Sequence, residues 1–249
     1  MSTVNSLIYR IKQRVSVLFW NRKLFFVLLK KDFFKIISFF NKNYKKKYLN
    51  FLGIFNKTNN LFVKKKKFHK FTFYLRECDL GMMKEVFLAK DYFLVKDFIP
   101  KEGDVVLDLG AGVGDYSVLS SLKVGKFGKV VSIEADRFTY ELLAKNVKLN
   151  NLSNVIPLNA FIGRKKIDDI TKKLKLSKLS LIKIDIEGYE YKALRGATYC
   201  LRKFKPKIII EIHSKELRKK IIDLLKKFGY KLVYEKTKKE KGFYLSYFM

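Results

Sequence analysis

The sequence predicts an α/β fold: a mostly parallel sheet with helices on both faces, closed by an antiparallel C-terminal hairpin and preceded by a basic helical extension. Three observations carry this. After residue 100, short β-type runs alternate with helical stretches, the pattern of βαβ units. The last two runs, KLVYEK (231–236) and FYLSYF (243–248), are joined only by TKKEKG. A parallel crossover needs a dozen or more residues, so this pair must be a hairpin. Finally, the chain changes texture near residue 68: residues 1–70 hold 18 Lys and Arg against the single acid Asp32, and the single glycine Gly53.

In the extension, Ile8, Ile11, Val15 and Leu18 recur at helical spacing, as do Phe33, Ile36 and Phe40, with lysines between them. The apolar runs Val15–Trp20 and Leu24–Leu29 are far short of the about 20 residues of a membrane span. Charges interrupt them and no small-residue cleavage site follows, which argues against a secretory signal. Residues 1–60 are therefore expected either to lie on an anionic membrane surface as basic amphipathic helices or to pack on the main domain. Lys64–Lys67 read as a linker or solvated turn. The expected division is 1–67 for the extension and 68–249 for the domain, in a cytoplasmic protein that reaches the membrane peripherally, if at all.

Within the domain, KFTFYLRE (70–77) is β-rich and MMKEVFLAKDYFLVKDFI (82–99) is helical in pattern. The strands that follow are VVLDL (105–109), KVVSIE (129–134), NVIPLN (154–159), LSLIKID (179–185) and KIIIEIH (207–213), then the hairpin. Helices are expected at Asp115–Leu122, Phe138–Leu149, Glu190–Leu201 and Lys215–Lys227.

The 249 residues carry a net charge of +31 and are 48% apolar, enough for a core. Cys78 and Cys200 are too few for a disulfide framework. The charge invites a nucleic-acid or membrane partner. Yet 45 of the 54 basic residues are lysine, and arginine is the better bidentate and stacking partner for nucleic acids.

The strongest chemical signal is VVLDLGAGVGDY (105–116). A strand ends in Asp108, Gly110, Gly112 and Gly114 follow, and a helix begins. Glycines let the backbone approach a ligand, and the helix start offers free N–H groups. Glu134 ends the next strand, where a carboxylate can accept hydrogen bonds from both ribose hydroxyls. The spacing G-x-G-x-G departs from the dinucleotide pattern G-x-G-x-x-G. Asp108 and Asp115 would repel a pyrophosphate and suit a ligand with an ammonium and a sulfonium, such as S-adenosylmethionine. Two further clusters stand at strand ends, where open parallel sheets bind ligands. KIDIEGYE (183–190) places Lys183, Asp185 and Glu187 on one side of a strand. PKIIIEIH (206–213) does the same with Glu211 and His213.

With Asp108–Ser117, Glu134, LIKIDIEGYEYKALRGA (181–197) and PKIIIEIH in this order, and LRECDLGMMKEVFLAKDY (75–92) upstream, the chain resembles the FkbM family of S-adenosylmethionine-dependent methyltransferases over about residues 68–249. The resemblance does not extend to residues 1–67. It implies the class I methyltransferase (Rossmann-like) fold, a seven-stranded sheet in the order 3-2-1-4-5-7-6. It also implies O-methylation of a hydroxyl, often on a sugar, glycan or related small molecule. Carried over by position, Asp108, Gly110, Ala111, Gly112, Gly114 and Glu134 would hold the cofactor, Asn159 and Ala160 would approach its adenine, and Asp185, Glu187, Glu211 and His213 would line the acceptor side. The glycine loop reads Ala111-Gly112-Val113 where many members have Ala-Asn-Ile.

A hydroxyl acceptor must lose its proton as the bond forms. His213, with an ordinary pKa nearest neutrality, is the expected base, with Asp185 or Glu187 the alternatives. A divalent metal held by the carboxylates would serve the same end, although the sequence gives it no support of its own. Two other readings stand beside the glycan methyltransferase: an RNA methyltransferase acting on ribose, and a non-catalytic membrane-surface scaffold. The run D-I-E-G stands where enzymes that methylate exocyclic amines often carry [ND]-P-P-[YF], which argues against amine chemistry.

Overall fold

The computed structural model describes residues 63–238 and 242–249. The expected N-terminal helices lie outside these residues. The compact unit that is described runs from Lys64 to Met249.

It opens with a hairpin of β1 (Lys64–Phe68) and β2 (Phe71–Leu75). The four lysines read as a linker are thus a strand, and the folded unit starts at Lys64. Lysine side chains on an edge strand stay in water while the backbone pairs with β2. The unpaired side of β2 is closed by two asparagines of a helix. Asn146 accepts from the Tyr74 N–H at 2.6 Å and donates to the Tyr74 carbonyl at 3.0 Å. Asn150 treats Thr72 in the same way, at 2.9 and 2.7 Å. They stand four residues apart, one turn, in and just after the helix Arg137–Leu149, and so meet strand residues two apart.

The helical pattern of 82–99 becomes α1 (Leu80–Phe87) followed by two short 3-10 turns at Asp91–Phe93 and Lys96–Phe98. The break is at Lys90, whose φ of +54° ends any right-handed helix.

The main sheet contains β3 (Val105–Leu109), β4 (Lys129–Glu134), β5 (Val155–Asn159), β6 (Leu181–Ile184), β7 (Lys207–Ile212), β8 (Leu232–Lys238) and β9 (Phe243–Phe248). Its order is β5-β4-β3-β6-β7-β9-β8, with β9 antiparallel to β7 and β8. Counted from β3 as the first strand, this is 3-2-1-4-5-7-6, the expected order. β3 and β6 are central and buried along almost their whole length, as parallel strands covered on both faces must be. The helices are α2 (Asp115–Val124), α3 (Arg137–Leu149), α4 (Ile167–Lys173), α5 (Glu190–Arg195), α6 (Thr198–Lys203) and α7 (Lys215–Lys227).

The single helix expected over Glu190–Leu201 is split at Gly196. Asp168 explains the restart: its carboxylate accepts from the Tyr199 and Cys200 N–H groups at 2.9 and 3.0 Å, capping α6 as a new helix. β3 and β6 are parallel neighbours, and the order in which the chain adds strands reverses between them. Ligand sites of open α/β sheets fall at such a switch point, beyond the carboxyl ends of the strands.

Candidate cofactor and acceptor site

The loop after β3 is shaped by a contact that only glycine permits. Gly110 has φ +75°, and a Cβ there would lie 1.8 Å from the carbonyl oxygen of Asp185 on the loop after β6. The two loops therefore touch backbone to backbone. Gly112 (φ +54°) has the Met82 side chain where its Cβ would stand, at 2.7 Å. Lys183, fully buried on β6, clamps the loop from below. Its Nζ donates to the Gly110 carbonyl at 2.9 Å and lies 3.2 Å from Asp108 Oδ1. Burial works against the Lys183 charge. Asp108, Asp185 and Asp115 outweigh it and raise the pKa above that of an ordinary lysine. Asp108 is completely buried and also accepts from Ser117 Oγ at 2.6 Å. Burial pushes the Asp115 carboxyl up to about 7, against the pull of Lys183.

Glu134 joins the loop to the next strand. One carboxylate oxygen accepts from the Gly112 N–H at 3.0 Å and the other from the Asp136 N–H at 2.9 Å. Burial raises its pKa, and those two N–H groups oppose the rise. Asp136 in turn caps α3 by accepting from the Thr139 N–H at 2.8 Å.

Beside this loop opens a cavity of about 360 Å³. Its floor is Gly110, Gly112 and Glu134, and one wall is Ala160, Phe161 and Ile162. Asp185, Ile186, Glu187 and Tyr189 line the β6 side, with Arg76, Asp79 and Met82 over the opening between them. Arg76 is neutralised by Asp79 at 2.7 Å. Among the described residues the lining thus offers carboxylates and N–H groups but no unpaired cation for a phosphate.

The β6 and β7 ends converge beside the cavity. His213, directly after β7, has Nδ1 2.8 Å from Glu190 Oε1. Its Nε2 lies 3.5 Å from Glu211, 3.8 Å from Glu187 and 3.9 Å from Asp185. Asp185 is fixed by the Tyr92 hydroxyl, which donates to Oδ2 at 2.8 Å. Burial alone would lower the His213 pKa. Glu190, Glu211 and Asp185 overcome it and hold the imidazole up to about 10. That direction counts against His213 as the base and favours the alternatives, Asp185 and Glu187.

The sequence-predicted residues separate into four groups. Gly110, Gly112, Glu134, Ala160, Asp185 and Glu187 line the cavity. Asp108, Ala111 and Gly114 shape the loop without lining the cavity. The side chain of Asn159 turns back to donate to the Glu134 and Ala135 carbonyls at 2.9 and 3.2 Å, holding the β4 end rather than facing the cavity. Glu211 and His213 sit behind Asp185. Sequence reasoning missed Arg76, Asp79 and Asp136 in the lining. Asp136 left a signal: an aspartate just before a helical stretch, with threonine three residues on.

Residues 164–232 match the FkbM methyltransferase domain, and residues 95–177 match the TRM5/TYW2 methyltransferase domain. Over 154 residues the chain is 30% identical to a tRNA(Phe) (4-demethylwyosine(37)-C(7)) aminocarboxypropyltransferase of Methanocaldococcus jannaschii, covering 59% of this chain and 57% of that protein. The chain thus spans little more than half of that relative. Its fold matches M. jannaschii TYW2 in complex with AdoMet, with TM-score 0.51, 20% identity, and 75% and 84% of the two chains covered. It also matches Aeropyrum pernix fibrillarin with natively bound S-adenosyl-L-methionine, with TM-score 0.54, 16% identity, and 76% and 86% covered.

Proposed function

We propose that this chain, an FkbM-type class I methyltransferase, uses S-adenosylmethionine to modify RNA. The observation that carries the cofactor reading is the cavity floor. Gly110 lets the loop close on the Asp185 backbone, Gly112 packs bare of a side chain under Met82, and Glu134 presents a carboxylate pinned by two N–H groups. That floor suits a ribose diol and a cationic ligand, and among the described residues the lining has no free cation for a pyrophosphate. When bound, S-adenosylmethionine supplies a carbon activated by a sulfonium. The protein's share is to hold the acceptor in line with it and to keep water out. Asp185, at the cavity wall and held by Tyr92, is placed to accept a hydrogen bond from the acceptor.

The acceptor reading moves away from the sugar or glycan hydroxyl expected from the sequence. The TRM5/TYW2 match over 95–177 and the relative that acts on tRNA(Phe) support RNA. The net charge of +31 supports a polyanionic partner too. The similar proteins give no support to a glycan acceptor or to membrane contact. Transfer of an aminocarboxypropyl group instead of a methyl is the second reading, favoured by the named activity of the 30%-identical relative.

Calorimetry with S-adenosylmethionine and with NAD tests the cofactor. Incubation of unmodified tRNA with the protein and labelled cofactor, read by mass spectrometry of nucleosides, tests the acceptor. Binding of S-adenosylmethionine alone, with a modified nucleoside whose yield falls steeply with salt, is the expected result. Equal binding of NAD would sink the cofactor reading. Glycan labelling without RNA labelling would sink the acceptor reading, and the mass increment separates methyl from aminocarboxypropyl.

A further inference from the structure

We infer that Asp185, Glu211 and His213 form a site for one divalent transition-metal ion, of the Mn²⁺ class, beside the cavity. One donor atom from each lies within 4.8 Å of the other two. Donors facing each other across an ion at about 2.0–2.6 Å are about 4–5 Å apart, so small side-chain movements close the site. Two carboxylates and an imidazole mix the donors of manganese with those of zinc and iron.

Two features beyond the cluster itself point to a cation. The first is the orientation of His213. A metal-binding histidine almost always engages a carboxylate through its other ring nitrogen, which fixes the ring and aims the free nitrogen at the ion. Here Glu190 takes Nδ1 at 2.8 Å, and Nε2 faces Glu211 and Asp185. The second is Glu190. Its side chain is fully buried, and its Oε2 has no hydrogen-bond partner among the described residues. A buried carboxylate oxygen left alone is costly. Around this one imidazole stand the carboxylates of Asp185, Glu187, Glu190 and Glu211. Among the described residues the nearest lysine, Lys183, is 4.0 Å from Asp185 and already shared with Asp108. Because Asp185 also lines the cavity, the ion would lie within reach of an acceptor oxygen or nitrogen, where it can act as a Lewis acid. The inference does not depend on what the acceptor is.

The test uses the full chain, stripped with EDTA and titrated with MnCl2 while the electron paramagnetic resonance of free Mn²⁺ is followed. One ion per chain is expected. Glu211→Gln and His213→Ala should each weaken it by at least about tenfold, since even an outer partner of a metal ligand is worth about 10–100-fold. Glu141→Gln, on the exposed face of α3, should bind as the parent does. Calorimetry with S-adenosylmethionine in EDTA shows whether each variant remains folded. No Mn²⁺ binding by the parent chain would overturn the inference, as would unchanged affinity in both ligand variants. Crystals grown with MnCl2 decide independently of any variant: an anomalous peak bonded to Asp185, Glu211 and His213 supports the site, and a peak elsewhere refutes it. All of these are read without RNA, so the acceptor reading can fail alone.

Discussion

The two walls of the cavity are made by different physics. On the β3–β4 side the shape is set by backbone: Gly110 pressed against the Asp185 carbonyl, Gly112 under Met82, and Glu134 held by two N–H groups. On the β6–β7 side it is set by charge: carboxylates crowd one imidazole, with Glu190 wholly buried. The backbone wall tolerates almost no added atom. The charged wall tolerates isosteric replacements that keep its volume and fails when a charge goes. Sterics and electrostatics can therefore be broken separately.

The largest effect belongs to the backbone wall. Gly110→Ala places a Cβ on a backbone oxygen at a positive φ, so neither a rotamer change nor a side-chain shift relieves it. We expect a loss of about 3–5 kcal/mol of stability and no detectable cofactor binding. Thermal melts and calorimetry check this; a variant that melts normally would mean the two loops can part. Next is the charged wall. Asp185→Asn keeps size and removes charge, and should cut turnover by about 10²–10⁴-fold while leaving cofactor affinity within a few-fold. Equal losses in turnover and affinity would show that the two walls do not act separately. Glu134→Ala returns to the cofactor side. It should weaken S-adenosylmethionine by about 1.5–3 kcal/mol, the worth of a charge-assisted contact, and melt close to the parent.

The contrast also explains what could be read in the sequence. The sheet order and the glycine loop were legible because their signals are local: alternating runs, a short TKKEKG connection, and glycines directly after a strand. The convergence of Asp185 and Glu187 with Glu211 and His213 follows once β6 and β7 are neighbours, since parallel strands bring like ends together. Three things were not local. Lys64–Lys67 look solvated and are, yet their backbone forms a strand because β2 offers a partner. The break at Gly196 depends on Asp168, about 30 residues upstream. The raised pKa of His213 depends on carboxylates from the loop after β6, from α5 and from β7, which an ordinary pKa taken residue by residue misses.

Per pH unit, the smallest expected effect is the dependence of stability on pH in metal-free protein, and it again separates the walls. Asp115, on the loop side, has its carboxyl raised from 3.8 to about 7 by burial. The folded state then keeps a proton that the unfolded state has lost, so stability falls as pH rises from about 4 to about 7 and is flat above. His213, on the charged side, is raised from 6.5 to about 10. Its contribution is complete below 6.5 and is lost as pH climbs towards 10. Above pH 7 the two no longer overlap, so any loss between 7 and 10 that His213→Gln abolishes belongs to the charged wall. We expect that loss to be at most about 1.4 kcal/mol per pH unit, one proton's worth. Melting curves in EDTA at pH 7, 8, 9 and 10, parent against His213→Gln, measure it. Parallel curves would mean that the imidazole is neutral in the folded protein, and would restore it as a candidate base.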